Sequence, residues 1–216
     1  MAITTLNNLS INRSDTAVAD QLWTATSAIA TDFQAAAAGG SWVRLATDTI
    51  TGGPASVIRD NVFSSTYQVY KLLYNDVTYS TGTYPFLQFL TGGDGTVAAA
   101  SSYKHKAVFL YGGLTTSSVS DMTQSQTTGI QLNTTYDQDS TDISSNGEIT
   151  FYNPADNTFY NTVMSAVSNF ESGQFRYFRG ITAYDGAKIS ATGYKFYPNA
   201  GTISTGEFVL YGLARA

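Results

Sequence analysis

From Ser41 onward the chain is a succession of short runs rich in Tyr, Phe, Val, Ile and Thr, each closed off by Gly, Asn, Asp or Ser. This punctuation constrains the fold more than any other feature. Runs of that composition and of period two are strands, because β-branched and aromatic side chains fit a pleated, half-buried surface. The expected strands are Trp42–Thr47, Ser56–Phe63, Tyr67–Asn75, Tyr84–Leu90, Tyr103–Tyr111, Gly129–Thr134, Glu148–Tyr152, Gln174–Gly180, Lys188–Phe196 and Glu207–Leu213. Gly52-Gly53-Pro54, Gly92-Gly93-Asp94-Gly95 and Asp185-Gly186 supply the backbone angles that tight reversals need. Strands at this spacing predict an all-β, antiparallel β-sandwich over residues 41–216. In Tyr67–Asn75 both alternating sets carry large apolar side chains, so that strand is expected at the centre of a sheet. Phe159–Phe170 stays open: Val163, Ala166, Val167 and Phe170 approach helical spacing, while Tyr160-Asn161-Thr162-Val163 suits a strand.

Residues 1–40 differ. They carry Thr, Ser, Asn and Ala with scattered apolar residues and end in Ala35-Ala36-Ala37-Ala38-Gly39-Gly40. The segment reads as an extended N-terminal arm with a hinge. Thr31-Asp32-Phe33-Gln34 and the four alanines form a candidate short helix, capped by Asp32 and stopped by Gly39; the alternative is a mobile tail. Leu6, Leu9, Ile11, Leu22, Trp23 and Phe33 are the arm's candidates for docking on a neighbour.

Composition then narrows the function. Only 12% of residues are charged, about half the ordinary fraction of roughly 25%. A neutral polar surface suits packing beside other subunits, because short hydroxyl and amide groups cost less to desolvate than charges. With net charge −5 and no cluster of Lys and Arg denser than Lys104-His105-Lys106, nucleic-acid binding is not expected. The chain has no cysteine, which excludes disulfides and thiolate metal sites. No apolar run is long enough for a membrane helix, and Met1–Ser10 lacks the layout of a signal peptide, so synthesis in the cytoplasm is expected.

Catalytic patterns are missing: no Gly-x-Ser-x-Gly elbow, His-Glu-x-x-His helix, phosphate loop or dinucleotide fingerprint occurs. The single histidine, His105, is expected as an exposed strand residue between two lysines. Asp137, Asp139 and Asp142 are the one candidate calcium cluster, although Asp142 stands where an EF-hand requires glycine, and a solvated turn-rich loop explains them too. No enzyme activity and no cofactor is expected. Of the fifteen tyrosines, most are expected in the core, and Tyr79 and Tyr136 are assigned to exposed loops as contact candidates. A glycan-binding surface would use the loops Thr91–Ala100 and Thr115–Thr128.

Four segments carry a family resemblance: Ser41-Trp42-Val43-Arg44-Leu45, Phe63 to Tyr70, Leu87-Gln88-Phe89 before Gly92-Gly93, and Gly201 to Leu213. In that order they resemble a jelly-roll-like β-sandwich module of bacteriophage and marine-virus virion structural proteins. Ile11-Asn12-Arg13-Ser14-Asp15 and Ala25-Thr26-Ser27-Ala28 resemble the amino-terminal arms of such proteins. The resemblance implies a virion location after synthesis in the host cytoplasm. It implies the role of a capsid decoration or cement protein, or else of a tail-fibre or receptor- and glycan-binding module. The implied partners are the major capsid protein or tail proteins, further copies of the chain as a trimer, and a host glycan. A decoration protein is preferred over a fibre, because neither heptads nor collagen triplets supply a shaft.

Overall fold

The computed structural model describes residues 21–25, 31–35, 41–92, 95–98, 103–112, 118–126, 129–132, 144–171 and 174–214, and every regular element among them is a β-strand. The chain divides into two units, Met1–Ser41 with Ala214–Ala216, and Trp42–Leu213. In the first, β1 (Gln21–Ala25) and β2 (Thr31–Ala35) pair antiparallel, with Trp23 opposite Phe33 in the register. The helix expected from Thr31 is thus replaced at residues 31–35 by a strand. A lone helix of two turns is marginal in water, whereas pairing with β1 satisfies the same backbone groups between strands.

The second unit is built on eight strands: β3 (Trp42–Thr51), β4 (Val57–Arg59), β5 (Tyr67–Tyr79), β6 (Pro85–Leu90), β9 (Ile130–Gln131), β10 (Ser145–Tyr152), β13 (Gly193–Pro198) and β14 (Ile203–Ala214). One sheet runs β3-β14-β5-β10 and the other β4-β13-β6-β9. Counted among themselves in chain order, these strands stand 1-8-3-6 against 2-7-4-5, which is the double Greek key of a jelly roll. Two hairpins are inserted into this frame. β7 (Tyr103–Gly112) and β8 (Ser118–Gln126) come between β6 and β9, and β11 (Thr162–Glu171) and β12 (Gln174–Tyr184) between β10 and β13. They continue the first sheet beyond β10 as β11-β12-β7-β8, so it becomes eight strands wide. The open segment 159–170 therefore resolves as a strand from Thr162, and most of the supposed loop Thr115–Thr128 is β8.

Alternation explains the packing. In β5, Tyr70, Leu72 and Tyr74 point into the sandwich, while Val69, Lys71 and Leu73 face outward. The pattern shifts at a bulge. Gly147 pairs with Tyr74 and Ser145 with Val77, leaving one extra residue on β5. Asp76 there adopts φ 50°, an angle that a short polar side chain tolerates, and its N–H donates to Asn146 Oδ1 at 2.9 Å. The shift returns Val77 and Tyr79 to the core. Between the sheets the rings of Tyr74, Phe196 and Phe208 meet at 4.9–6.1 Å between centroids. Phe63, Phe89 and Tyr194 surround Phe151 at 5.0–6.0 Å. Such tilted ring contacts add to the gain from burial alone. One flank of the sandwich is closed by charge: Arg59 on β4 donates through Nε to Asp48 Oδ2 of β3 at 2.6 Å, and through Nη2 to Oδ1.

Candidate functional site

His105 is the residue most often used for proton transfer near neutral pH, and the structure places it in the interior. The side chain is 2% exposed, which corrects its expected placement on the surface. Tyr103, His105 and Ala107 form the inward set of β7 between the outward Lys104 and Lys106. Nδ1 lies 2.6 Å from Thr182 Oγ1, and the ring stacks on Phe178 at 5.5 Å with an interplanar angle of 3°. Burial pushes the imidazole down to about 4, so it is neutral at pH 7. It is a packed wall residue without access to a substrate.

Tyr79 is corrected as well. It closes β5 at 1% exposure rather than standing in a loop, and burial raises its hydroxyl well above the ordinary value. It cannot touch a partner from there. Tyr136, the acidic cluster Asp137, Asp139 and Asp142, and the arm residues Leu6, Leu9 and Ile11 lie outside the described residues. Leu22 and Trp23 fall on β1 and Phe33 on β2, described by backbone alone. Among the described residues no group of three His, Cys, Asp or Glu side chains could hold a metal ion.

Two surface features stand out instead, and the first is the loop between β10 and β11. Phe159 is 67% exposed and Tyr160 51%, the former being the most exposed large apolar side chain among the described residues. The loop that carries them is tied down on every side. Asn153, at φ 46°, donates its N–H to Gln68 O at 2.6 Å. The Asp156 carboxylate accepts from Thr158 N at 2.8 Å, which also lowers the pKa of that carboxyl. Pro154 O accepts from both Asn161 Nδ2 and Ala191 N at 2.8 Å, and Ala155 O accepts from Ser190 Oγ at 2.8 Å. Lys188 Nζ rests 6.0 Å from the centre of the Tyr160 ring. The two aromatics are therefore held out in a fixed loop, and fixing a contact residue before binding removes part of the entropy cost of docking.

The second feature is the outward face of the eight-stranded sheet. The strand registers place Leu73, Glu148, Ala166, Arg179 and Val108 side by side across β5, β10, β11, β12 and β7. The short side chain of Ala166 between Glu148 and Arg179 leaves a depression of about 350 Å³, with Tyr152 and Tyr177 also in its lining. Glu148 is paired with Lys71 Nζ at 2.9 Å, and that ammonium sits 5.1 Å from the centre of the Trp42 ring. Arg179 takes part in no ion pair among the described residues.

Sequence reasoning passed over both features. The run Asn153-Pro154-Ala155-Asp156-Asn157-Thr158 is turn chemistry leading directly into two aromatics, and that was the available signal for the loop. Nothing in the sequence alone announces the depression, because it depends on which residues stand opposite one another on neighbouring strands. Scanned against protein-family models, the chain matches none, and no curated protein matches it either.

Proposed function

We propose that this chain is a non-enzymatic virion structural protein, most simply a capsid decoration protein, whose jelly roll docks on neighbouring subunits through the Phe159–Tyr160 loop. The observation that carries the docking is the combination of exposure and rigidity in that loop. Exposed aromatics are the side chains that most often anchor an interface, and here the loop that leads into them is anchored at Asn153, Pro154 and Ala155 by hydrogen bonds with Gln68, Ala191 and Ser190. The low charged fraction supports repeated contact between subunits. The virion location is supported by the resemblance of segments that fall on β3, on the approach to β5, on β6 and on β14. A jelly roll is compatible with it, but the fold by itself assigns no function. The further partners of this reading are the major capsid protein or tail proteins and other copies of the chain, as a trimer.

The test uses purified particles that carry the protein. The double variant Phe159→Ser, Tyr160→Ser is expected to melt within a few degrees of the parent, because exposed positions contribute about 0.5 kcal/mol or less. Its occupancy on particles, measured by quantitative mass spectrometry, is expected to fall at least tenfold. Full occupancy of a folded double variant would reject this docking loop, and absence of the parent chain from particles would reject the virion role itself. A second reading, a glycan-binding module, is favoured by the depression on the outward sheet face.

A further inference from the structure

We propose that the outward depression across β10, β11 and β12 is a binding trough for a linear carboxylated polysaccharide. This rests on the second reading above and is independent of the Phe159–Tyr160 loop.

Length and shape come first. Tyr152 stands opposite Thr162 of β11 and Tyr177 opposite Ser168, six positions further along the same strand. At about 3.4 Å per residue the two tyrosines mark a path of roughly 20 Å. They lie on opposite sides of β11, so the path crosses the sheet obliquely. The volume of about 350 Å³ falls at the small end of ligand sites. Spread over such a length, it describes an open trough for a chain, not a closed cavity for a compact molecule.

Chemistry narrows the occupant. Tyr152 is 38% and Tyr177 40% exposed, so each offers ring surface at one end of the path. A sugar ring has apolar C–H faces that can lie on such a surface, while its hydroxyls stay in reach of polar neighbours. Between the tyrosines, Thr150 offers a hydroxyl and Glu148 an acceptor for sugar hydroxyls. Arg179 adds a planar, permanently charged fork that matches a carboxylate.

The distribution of charge points the same way. Around the trough the outward charged side chains are Lys71, Glu148 and Arg179, and because Lys71 and Glu148 pair with each other, Arg179 leaves one net positive charge there. On a chain of net charge −5, the trough is therefore locally cationic. Opposite fields raise the rate of encounter and select the sign of the partner. With a single unpaired cation in the trough, the guanidinium fork engages one carboxylate of the polymer while the tyrosines carry the sugar rings toward either end.

The experiment uses the full chain in affinity electrophoresis and titration calorimetry, with polygalacturonate as probe and its methyl ester as the uncharged control. Polygalacturonate is expected to bind, and the ester to bind at least tenfold more weakly. Arg179→Gln is expected to weaken binding of the acid about tenfold, the size of one charge-assisted hydrogen bond. Tyr177→Ala is expected to weaken both polymers with an unchanged melting temperature. The Phe159→Ser, Tyr160→Ser variant is expected to bind as the parent does, which separates this site from the docking loop. No binding, equal binding of acid and ester, or no loss in a folded Arg179→Gln variant would overturn the proposal. So would tighter binding of single-stranded DNA than of polygalacturonate. Concentration-dependent self-association abolished by Arg179→Gln would overturn it in favour of a second copy on this face.

Discussion

At the scale of single residues, His105 is the informative case. Lys104 and Lys106 flank it, and on a strand the neighbours of an outward side chain point inward. The two lysines thus carried the signal that His105 is buried, but their charge invited the opposite reading. Its position also has a pH consequence. The folded-state value of about 4 lies below the roughly 6.5 of a free imidazole, so the unfolded chain takes up the proton first. The contribution to stability is complete above pH 6.5 and is lost progressively as pH falls toward 4, by up to about 3 kcal/mol. Urea unfolding at pH 7, 5.5 and 4.5 is expected to show this fall, and a folded His105→Gln variant to show less of it. An identical pH slope in the two proteins would contradict the assignment. Arg179 and Ala166 teach a different lesson. Neither residue means anything alone; register makes them neighbours, and register is a property of three strands at once.

At the scale of elements, most strands were legible because aromatic and β-branched runs separated by glycine have few other solutions. β8 was not, since Ser118–Gln126 is polar apart from Val119 and Met122 and acquires its state by pairing with β7. The stretch before Phe170 was ambiguous for a geometric reason. Val163 and Val167 are four apart, a spacing that lies on one face of a helix and equally on one face of a strand. In the structure they point inward together with Ser165 and Asn169, and Ala166 faces out. The link between β3 and β4 offers a test at this scale. Asp48→Asn keeps the shape but removes the charge opposite Arg59, which is raised in pKa by its hydrogen bond to that carboxylate. The pair is partly exposed, so the expected loss is only about 1 kcal/mol, seen as a lower urea midpoint at unchanged slope. A loss nearer zero in low salt would mean that the flank is closed by packing alone.

At the scale of the whole molecule, the jelly roll joins residues that are distant along the chain: Trp42 with Leu213, and Ile58 with Lys195. Non-local pairing of this kind makes folding slow, on the order of milliseconds to seconds. Stopped-flow refolding of the chain is expected in that range, and a microsecond phase carrying the full amplitude would be inconsistent with this topology. The core is correspondingly cooperative. Phe151, which reaches from the first sheet to Phe89 and Tyr194 of the second, is expected to cost about 3–5 kcal/mol when replaced by alanine. The fold class was visible in the sequence, whereas the widened sheet was not, because insertions declare their partners only in three dimensions.

The same pairing of Trp42 with Leu213 decides how the sandwich answers to force. The first and last strands are antiparallel neighbours, so a pull between their outer ends opens the β3–β14 ladder one rung after another, like a zip. A pull on one end against a load carried by Phe159 and Tyr160 enters the sheet elsewhere and is shared by many rungs together. The sandwich is soft when its two terminal strands are peeled apart and stiff when it is loaded through the loop between β10 and β11.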